Sequence, residues 1–599
     1  MIERLSNSAI REVSRHWLAI ILVGCLLFVT NLGATRLWDV DEAIFSQAAV
    51  EMMERGDWVT PYFNGQMFGH KPPFMYWCQI LAYQMFGTTE FAARFFSAIF
   101  GIGTILLTYE LGRVLFNRRV GLWGAIALGS SINFALIARA ATPDSYLTFF
   151  CTLSLLLLVR GTQTRNAKTS DAPWQPNLSP PWMTYALAYA AMGVATLIKG
   201  PIIGAILPMA VWGMFLLIEQ RYQDVQSTLH GKRPRWLRAI SVFAPLYFVQ
   251  TVWRMRPLTA IAMILLVAGP WYAWVGINTD GRFLREFFIE HNIGRAAQAM
   301  DSHSGPIFYY LIAVCIGTFP WCVLLGPAIG HLVQSIKYNE PTRASNTLIA
   351  CCVGVWIGIL SLASTKLPSY IVPCYPALSL GFATLIDRWL AAADFAHSRR
   401  WLRAAWGTTA VVGIGLLIAV PLITRTYLDG EWTPALVGLI PLLGAFAGLW
   451  LSERGHVHRS LTALAVVGVL FCTGLFGFAV LPIDAHQNSQ MLTDFARKRS
   501  EGPPHLGSHN YLPPSLVYYG KQPVEPLSGE AISHFFATHP KDAFLVTTDK
   551  HYQSLASQLP ADVAILIRDR RFLKKGEVLL LGRSTTAEVA GRRASSTTK

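Results

Sequence analysis

Uncharged apolar runs long enough to cross a bilayer, about 20 residues each, recur along this chain. Residues 17–34 form the first such run and residues 461–482 the last. In hydrocarbon a segment of this kind must satisfy its own backbone, which a helix does. Composition agrees, because 53% of the 599 residues are hydrophobic and only 14% are charged. A soluble chain carries roughly a quarter charged residues, and the mean hydropathy here is +0.38. The fold class is therefore a polytopic α-helical membrane protein.

A formal net charge of +15 would fit nucleic-acid binding if the cations formed one stripe. They do not. Arginines and lysines cluster between alternate apolar runs: Arg4, Arg11 and Arg15; Arg118 and Arg119; Lys232, Arg233, Arg235 and Arg238; Arg399, Arg400 and Arg403. This is the positive-inside pattern, and it reads as topology and contact with anionic lipid, not as a nucleic-acid partner. The nine cysteines are scattered, mostly inside apolar runs, and give neither a disulfide framework nor a thiolate metal site. The apolar run 17–34 lacks a small-residue cleavage site, so it is expected to stay as the first helix.

Placing the basic segments inside gives a weave of about 13 spans, with the N-terminus inside. The expected organisation is a membrane domain over 1–482, including a long outside loop at 35–90. A small α/β domain over 483–584 follows on the outer side, then a disordered tail at 585–599. The apolar stretch 239–253 is short and flanked by arginine, so it is expected to lie in the interface. Within the C-terminal region, 543–548, 563–568 and 577–582 read as strands, and 549–559 as a helix between the first two.

Chemistry gathers in the outside loops. Asp41 and Glu42 open an apolar-periodic stretch with the pattern of an amphipathic helix lying along the membrane. Lys71 precedes two prolines, Arg139 and Asp144 follow the third span, and Lys199 heads Gly-Pro after the fifth. Lys366 lies in a Ser-Thr-Lys-Leu-Pro-Ser-Tyr run ending at Tyr370, after the ninth. Taken singly, these are ordinary caps and snorkelling cations. Together they bring carboxylates and cations to one membrane face from separate loops. Cations on the side that topology disfavours point to an anion, and at a membrane surface to a lipid phosphate. A neighbouring carboxylate can act as general base. A transporter would instead carry ionisable groups or broken helices near mid-membrane, and few such charges are seen.

In order and loop placement, the motifs resemble the GT-C membrane glycosyltransferases, specifically the 4-amino-4-deoxy-L-arabinose lipid A transferases and the protein O-mannosyltransferases. The matching pieces are Asp41-Glu42, Gly56-Asp-Trp-Val-Thr-Pro61, Asn64-Gly65, Lys71-Pro-Pro, Pro143-Asp144, Lys199-Gly-Pro201, Pro270-Trp-Tyr272 and Lys366-Leu-Pro-Ser-Tyr370. The resemblance implies transfer of a sugar, with inversion, from a polyprenyl-phosphate donor to a periplasmic lipid or protein acceptor at the bacterial inner membrane. It makes Asp41 the expected base and gives Asp144 the task of orienting a substrate. Lys71, Lys366 and Tyr370 would hold the leaving phosphate, with Glu42, Arg139 and Lys199 as further substrate contacts. One departure is His70, where relatives often have an acidic residue. A divalent metal stays open, with His70 and either His291 or His303 as ligands. The rival readings are a polyprenyl-linked sugar flippase and a non-catalytic lipid-phosphate binder.

Overall fold

A computed structural model describes residues 2–163, 174–227, 245–294, 305–391 and 396–584. Among these, nine helices are long and apolar enough to span a membrane, and two bent helix pairs raise the number to eleven. The helices α1 (Ile2–Phe28) and α8 (Trp182–Lys199) are 27 and 18 residues long and also have spanning length. The first bent pair joins α5 (Arg118–Gly129) to α6 (Ile132–Arg139) at 67°. At that break the Ser130 and Ser131 hydroxyls donate back to the Ile126 and Ala127 carbonyls, a bond pattern that bends helices.

The second pair, Tyr309–Gly317 with Trp321–Lys337, bends by 114° around Pro320, which has no N–H to continue the ladder. Its two ends contact different parts of the helix bundle. Gly305 packs against Lys366 at one end, whereas Glu340 pairs with Arg388 at the other. That opposite face also carries the buried Glu110 between Arg113 and Arg160, and the buried Glu219–Arg343 pair. The charges at this face are thus partnered and lie near helix ends.

The described part of the stretch expected in the interface forms a helix, Pro245–Arg254, of ten residues. At 1.5 Å per residue it reaches about half the hydrocarbon thickness, too little to cross. Residues 239–244 and the tail at 585–599 lie outside the described residues.

After the last span the chain builds a five-stranded mixed sheet in the order β4-β3-β5-β7-β6. Strands β5 (Ala543–Thr548), β6 (Val563–Arg570) and β7 (Glu577–Arg583) fall where period and composition put them. Two further short strands were not expected: β3 (His505–Ser508) and β4 (Val524–Pro526), parallel to β3. Four and three residues are too few to show a period.

The outside loop folds against this sheet domain. The helix α2 (Asp41–Arg55) packs against both α3 (Phe74–Phe86) and the sheet-domain helix Pro514–Gly520. Ten of its residues, Glu42 among them, are buried. The expected surface helix is therefore a clamped one, because protein covers the face that sequence pattern assigns to solvent. Strands β1 (Tyr62–Phe63) and β2 (Gln66–Met67) form a hairpin whose Asn64 and Gly65 have positive φ, the demand of a two-residue turn. The Asn64 side chain exchanges two hydrogen bonds with the Val524 backbone, and so joins the hairpin to β4.

Candidate functional site

Four helix starts and ends meet beneath the sheet domain. Asp41 is the exposed first residue of α2. Four residues before it, Arg36 to Asp39, are hydrogen-bonded to the segment that follows the last span. The Arg36 and Trp38 side chains donate to Asp484, and the Leu37 N–H donates to the Tyr519 hydroxyl at 2.8 Å. The Asp39 carboxylate accepts from the Ser515 N–H at 2.8 Å and its hydroxyl at 2.5 Å. Tyr519 in turn donates to Glu90. Burial, together with the Glu90 charge, raises the phenol pKa and keeps it a donor.

Glu42 joins the two carboxylate loops. One oxygen accepts from Arg94 Nε and the Ala141 N–H, both at 2.8 Å. The other accepts from Arg94 Nη2 at 2.7 Å and the Trp38 N–H at 3.0 Å. Burial pushes its pKa up, but Arg94 and the two N–H donors outweigh that, so the carboxyl sits below its ordinary value. Arg94 also gathers the Leu32, Thr35 and Arg36 carbonyls. Each oxygen of Glu42, a residue expected from sequence to contact substrate, is thus already bonded to two protein donors. Arg139, another expected substrate contact, is likewise engaged by the protein. Its guanidinium is buried on the Leu27, Thr30 and Phe476 carbonyls, where it closes helix ends. Arg94 is the organiser of this loop. Its signal was an arginine near the start of a long apolar span, where charge is costly and therefore paired.

Asp144, the first residue of α7 (Asp144–Gly161), meets Lys199, the last residue of α8, at 2.5 Å. Both are buried, 7% and 9% exposed. Gly200 follows with φ 91°, a backbone conformation that lets the chain turn away at once. The Lys199 ammonium also lies 4.6 Å from the centre of the Tyr370 ring, within cation–π range. Beyond these contacts, the second Asp144 oxygen and two Lys199 protons have no side-chain or backbone partner among the described residues. Lys366, on the same loop as Tyr370, is buried and donates to the Ala363 carbonyl at 2.6 Å.

Lys71 and His70 lie in the loop ahead of α3. The His70 ring stacks on Phe68 at 4.1 Å and meets the His291 ring at 3.9 Å between centres. The pair expected from sequence is thus brought together. Among the described residues, however, no group of three or more metal-binding side chains forms, and a closed metal site takes three or four. His303 lies outside the described residues. Neighbouring motifs act as struts: Trp271 donates to the Val59 carbonyl, Tyr272 to Thr196 and Trp77 to Trp58.

Residues 70–253 match the family model of dolichyl-phosphate-mannose-protein mannosyltransferases. A crystal structure of ArnT from Cupriavidus metallidurans bound to undecaprenyl phosphate superposes with a TM-score of 0.69 at 22% identity, covering 94% of this chain and 97% of that one. The fold is that of the GT-C membrane glycosyltransferases. An undecaprenyl phosphate-α-4-amino-4-deoxy-L-arabinose arabinosyl transferase of Pectobacterium carotovorum is 27% identical over 451 residues, 72% of this chain and 71% of that protein. An uncharacterized protein of Aquifex aeolicus is 27% identical over 430 residues, 72% and 73% of the two chains. In this GT-C chain all of the polar cluster except Tyr370 and Lys366, Glu42 and Asp41 included, comes from the loops and helix ends before residue 300.

Proposed function

We propose that this chain is an integral membrane glycosyltransferase of the bacterial inner membrane that uses a polyprenyl-phosphate-linked sugar. The observation that carries the reading is the buried Asp144–Lys199 pair with hydrogen-bonding capacity left over, set in a fold shared with a protein crystallised with undecaprenyl phosphate. In this reading Asp41 takes the proton of an acceptor oxygen as that oxygen attacks the anomeric carbon. The bond from that carbon to the phosphate oxygen breaks on the far side, with inversion. The leaving polyprenyl phosphate gains negative charge, and preorganised cations stabilise it without moving. Lys71 and Lys366 fill that role, Tyr370 positions Lys199, and Asp144 orients the sugar or the acceptor.

The acceptor is a lipid, a protein or another envelope glycan. An odd count of thirteen spans, with α1, α8 and both bent pairs included, would set the N-terminus and the sheet domain on opposite sides, read here as cytoplasm and periplasm. The positive-inside distribution supports this orientation. Purified protein supplied with short polyprenyl-phosphate sugars should release polyprenyl phosphate, and Asp41→Asn should abolish that release while leaving lipid binding intact. Folded wild-type protein that binds the lipid and releases nothing with any sugar would favour the flippase or binding reading.

A further inference from the structure

A second cavity lies at the opposite end of α8 from Lys199. It measures about 430 Å³ and is lined by Ser179, Tyr185, Trp253, Arg254, Arg256 and Thr259, among others. Tyr185 is three residues from the start of α8, so it and Lys199 are separated by nearly the whole span. The two arginines flank the turn between the short helix Pro245–Arg254 and the spanning helix Pro257–Asn278. Tyr189 fixes that turn by donating to the Met255 carbonyl at 2.5 Å.

Neither arginine has an ion pair or a hydrogen-bonded acceptor for its guanidinium among the described residues. The contrast with other cations is plain, because Arg94, Arg113, Arg160 and Arg343 each have a carboxylate. The spanning helix starts at this cavity, with Pro257, Leu258 and Thr259 in its wall. Its first-turn N–H groups have no intrahelical acceptor, and the helix dipole adds partial positive charge there. The second observation is Tyr185. Its side chain is 0% exposed and lines the cavity, and its hydroxyl lies beside the Trp212 indole N–H without a well-formed hydrogen bond. A buried hydroxyl left unmade costs about 1–3 kcal/mol, and an acceptor oxygen in the cavity would remove that cost.

Apolar surface adjoins this polar pocket. Trp253 and Leu258 are 72% and 74% exposed, and Val249 and Ile261 are also exposed. Side chains like these are stable only against acyl chains. We infer that the cavity binds the phosphate of an anionic glycerophospholipid, with Arg254 and Arg256 on the phosphate and the chains along Val249, Trp253, Leu258 and Ile261. Arginine suits a phosphate diester because its planar fork makes paired bonds. The site is separate from the transfer site and requires nothing of its chemistry. Its physical effect is to pin the short helix and the loop around residue 179 to one leaflet.

The test is native mass spectrometry of the full chain in mild detergent, with equal amounts of dioleoyl phosphatidylglycerol and dioleoyl phosphatidylcholine added. One phosphatidylglycerol should be retained in preference. Arg254→Ala with Arg256→Ala should weaken that preference roughly tenfold or more. Tyr185→Phe should weaken it about threefold, the size of one neutral hydrogen bond. Arg254→Lys with Arg256→Lys should keep most of the preference, which separates lost charge from lost fold. Equal retention of the two lipids, or a preference untouched by the double alanine variant, would overturn the inference. A millimolar excess of glycerol 3-phosphate distinguishes a lipid site from a soluble-phosphate site. Displacement of the lipid by it would overturn the lipid assignment, and persistence of the lipid supports it.

Discussion

Two buried ion pairs lie on the same side of this membrane protein, and they are built differently. In the loop anchor, Glu42 and Arg94 satisfy each other and also two backbone N–H groups and three carbonyls. At the meeting of α7 and α8, Asp144 and Lys199 share one short bond and a neighbouring ring. The first pair has no capacity for a substrate, and the second does. The difference teaches that burial of a charge does not mark a functional residue. Saturation marks a scaffold, and unsatisfied capacity marks a place where a ligand completes the bonding.

The sharpest test of that contrast replaces both partners at once, so that no charge is left buried alone. Glu42→Gln with Arg94→Met should destabilise the protein by about 3–5 kcal/mol, because the orphaned carbonyls and N–H groups remain. Thermal unfolding in detergent would show it. A variant that melts like the wild type would mean the anchor is not structural. Asp144→Asn with Lys199→Met should instead keep its melting temperature and lose transfer activity by about 10²–10³-fold. Loss of fold there, or full activity, would erase the distinction between the pairs.

A smaller effect is expected where the sheet domain holds the segment before Asp41. Ser515→Ala removes both the hydroxyl and its bond to the Asp39 carboxylate, a charge-assisted bond worth about 1.5–3 kcal/mol. Limited proteolysis should cut the domain connection faster, and turnover should fall several-fold with donor binding unchanged. Equal turnover would show that the segment holds its place without the domain. The smallest effect is pH dependence. Glu42 has its pKa depressed below the 4.5 of a free side chain, so its contribution to stability is complete above that value. It should fade only as pH falls through the lower folded-state pKa. Comparing melting at pH 7 and pH 4 for wild type and for the Glu42→Gln, Arg94→Met variant would isolate it. A melting temperature that drops equally in both would assign the loss to other carboxylates.

Much of this was legible in the chain. Asp41 and Lys71 in the first loop, and Asp144, Lys199 and Lys366 at span ends, are the residues that a count of apolar runs and basic turns assigns to one face. Strand β5 spans the residues that its β-branched and apolar content marks, 543–548. The bonding of Glu42 and Arg139 could not be read locally, because it is a property of partners distant in sequence: Ala141 is 99 residues from Glu42, and Phe476 is 337 from Arg139. Arg94 was undervalued for the same reason. The clamping of α2 was also out of reach, since an amphipathic period shows that one face is buried but not that a later domain covers the other.

The sequence by itself determined the solvent of each segment, because transfer of 20 apolar residues from water is a local sum that needs no partner. It also predicts that the ionisable loops share one face, since charge bias is read one loop at a time. Only the tertiary structure decided which of those charges are saturated and which keep capacity for a ligand. A hydrogen bond depends on distances of about 3 Å between groups that the chain brings together only when it folds.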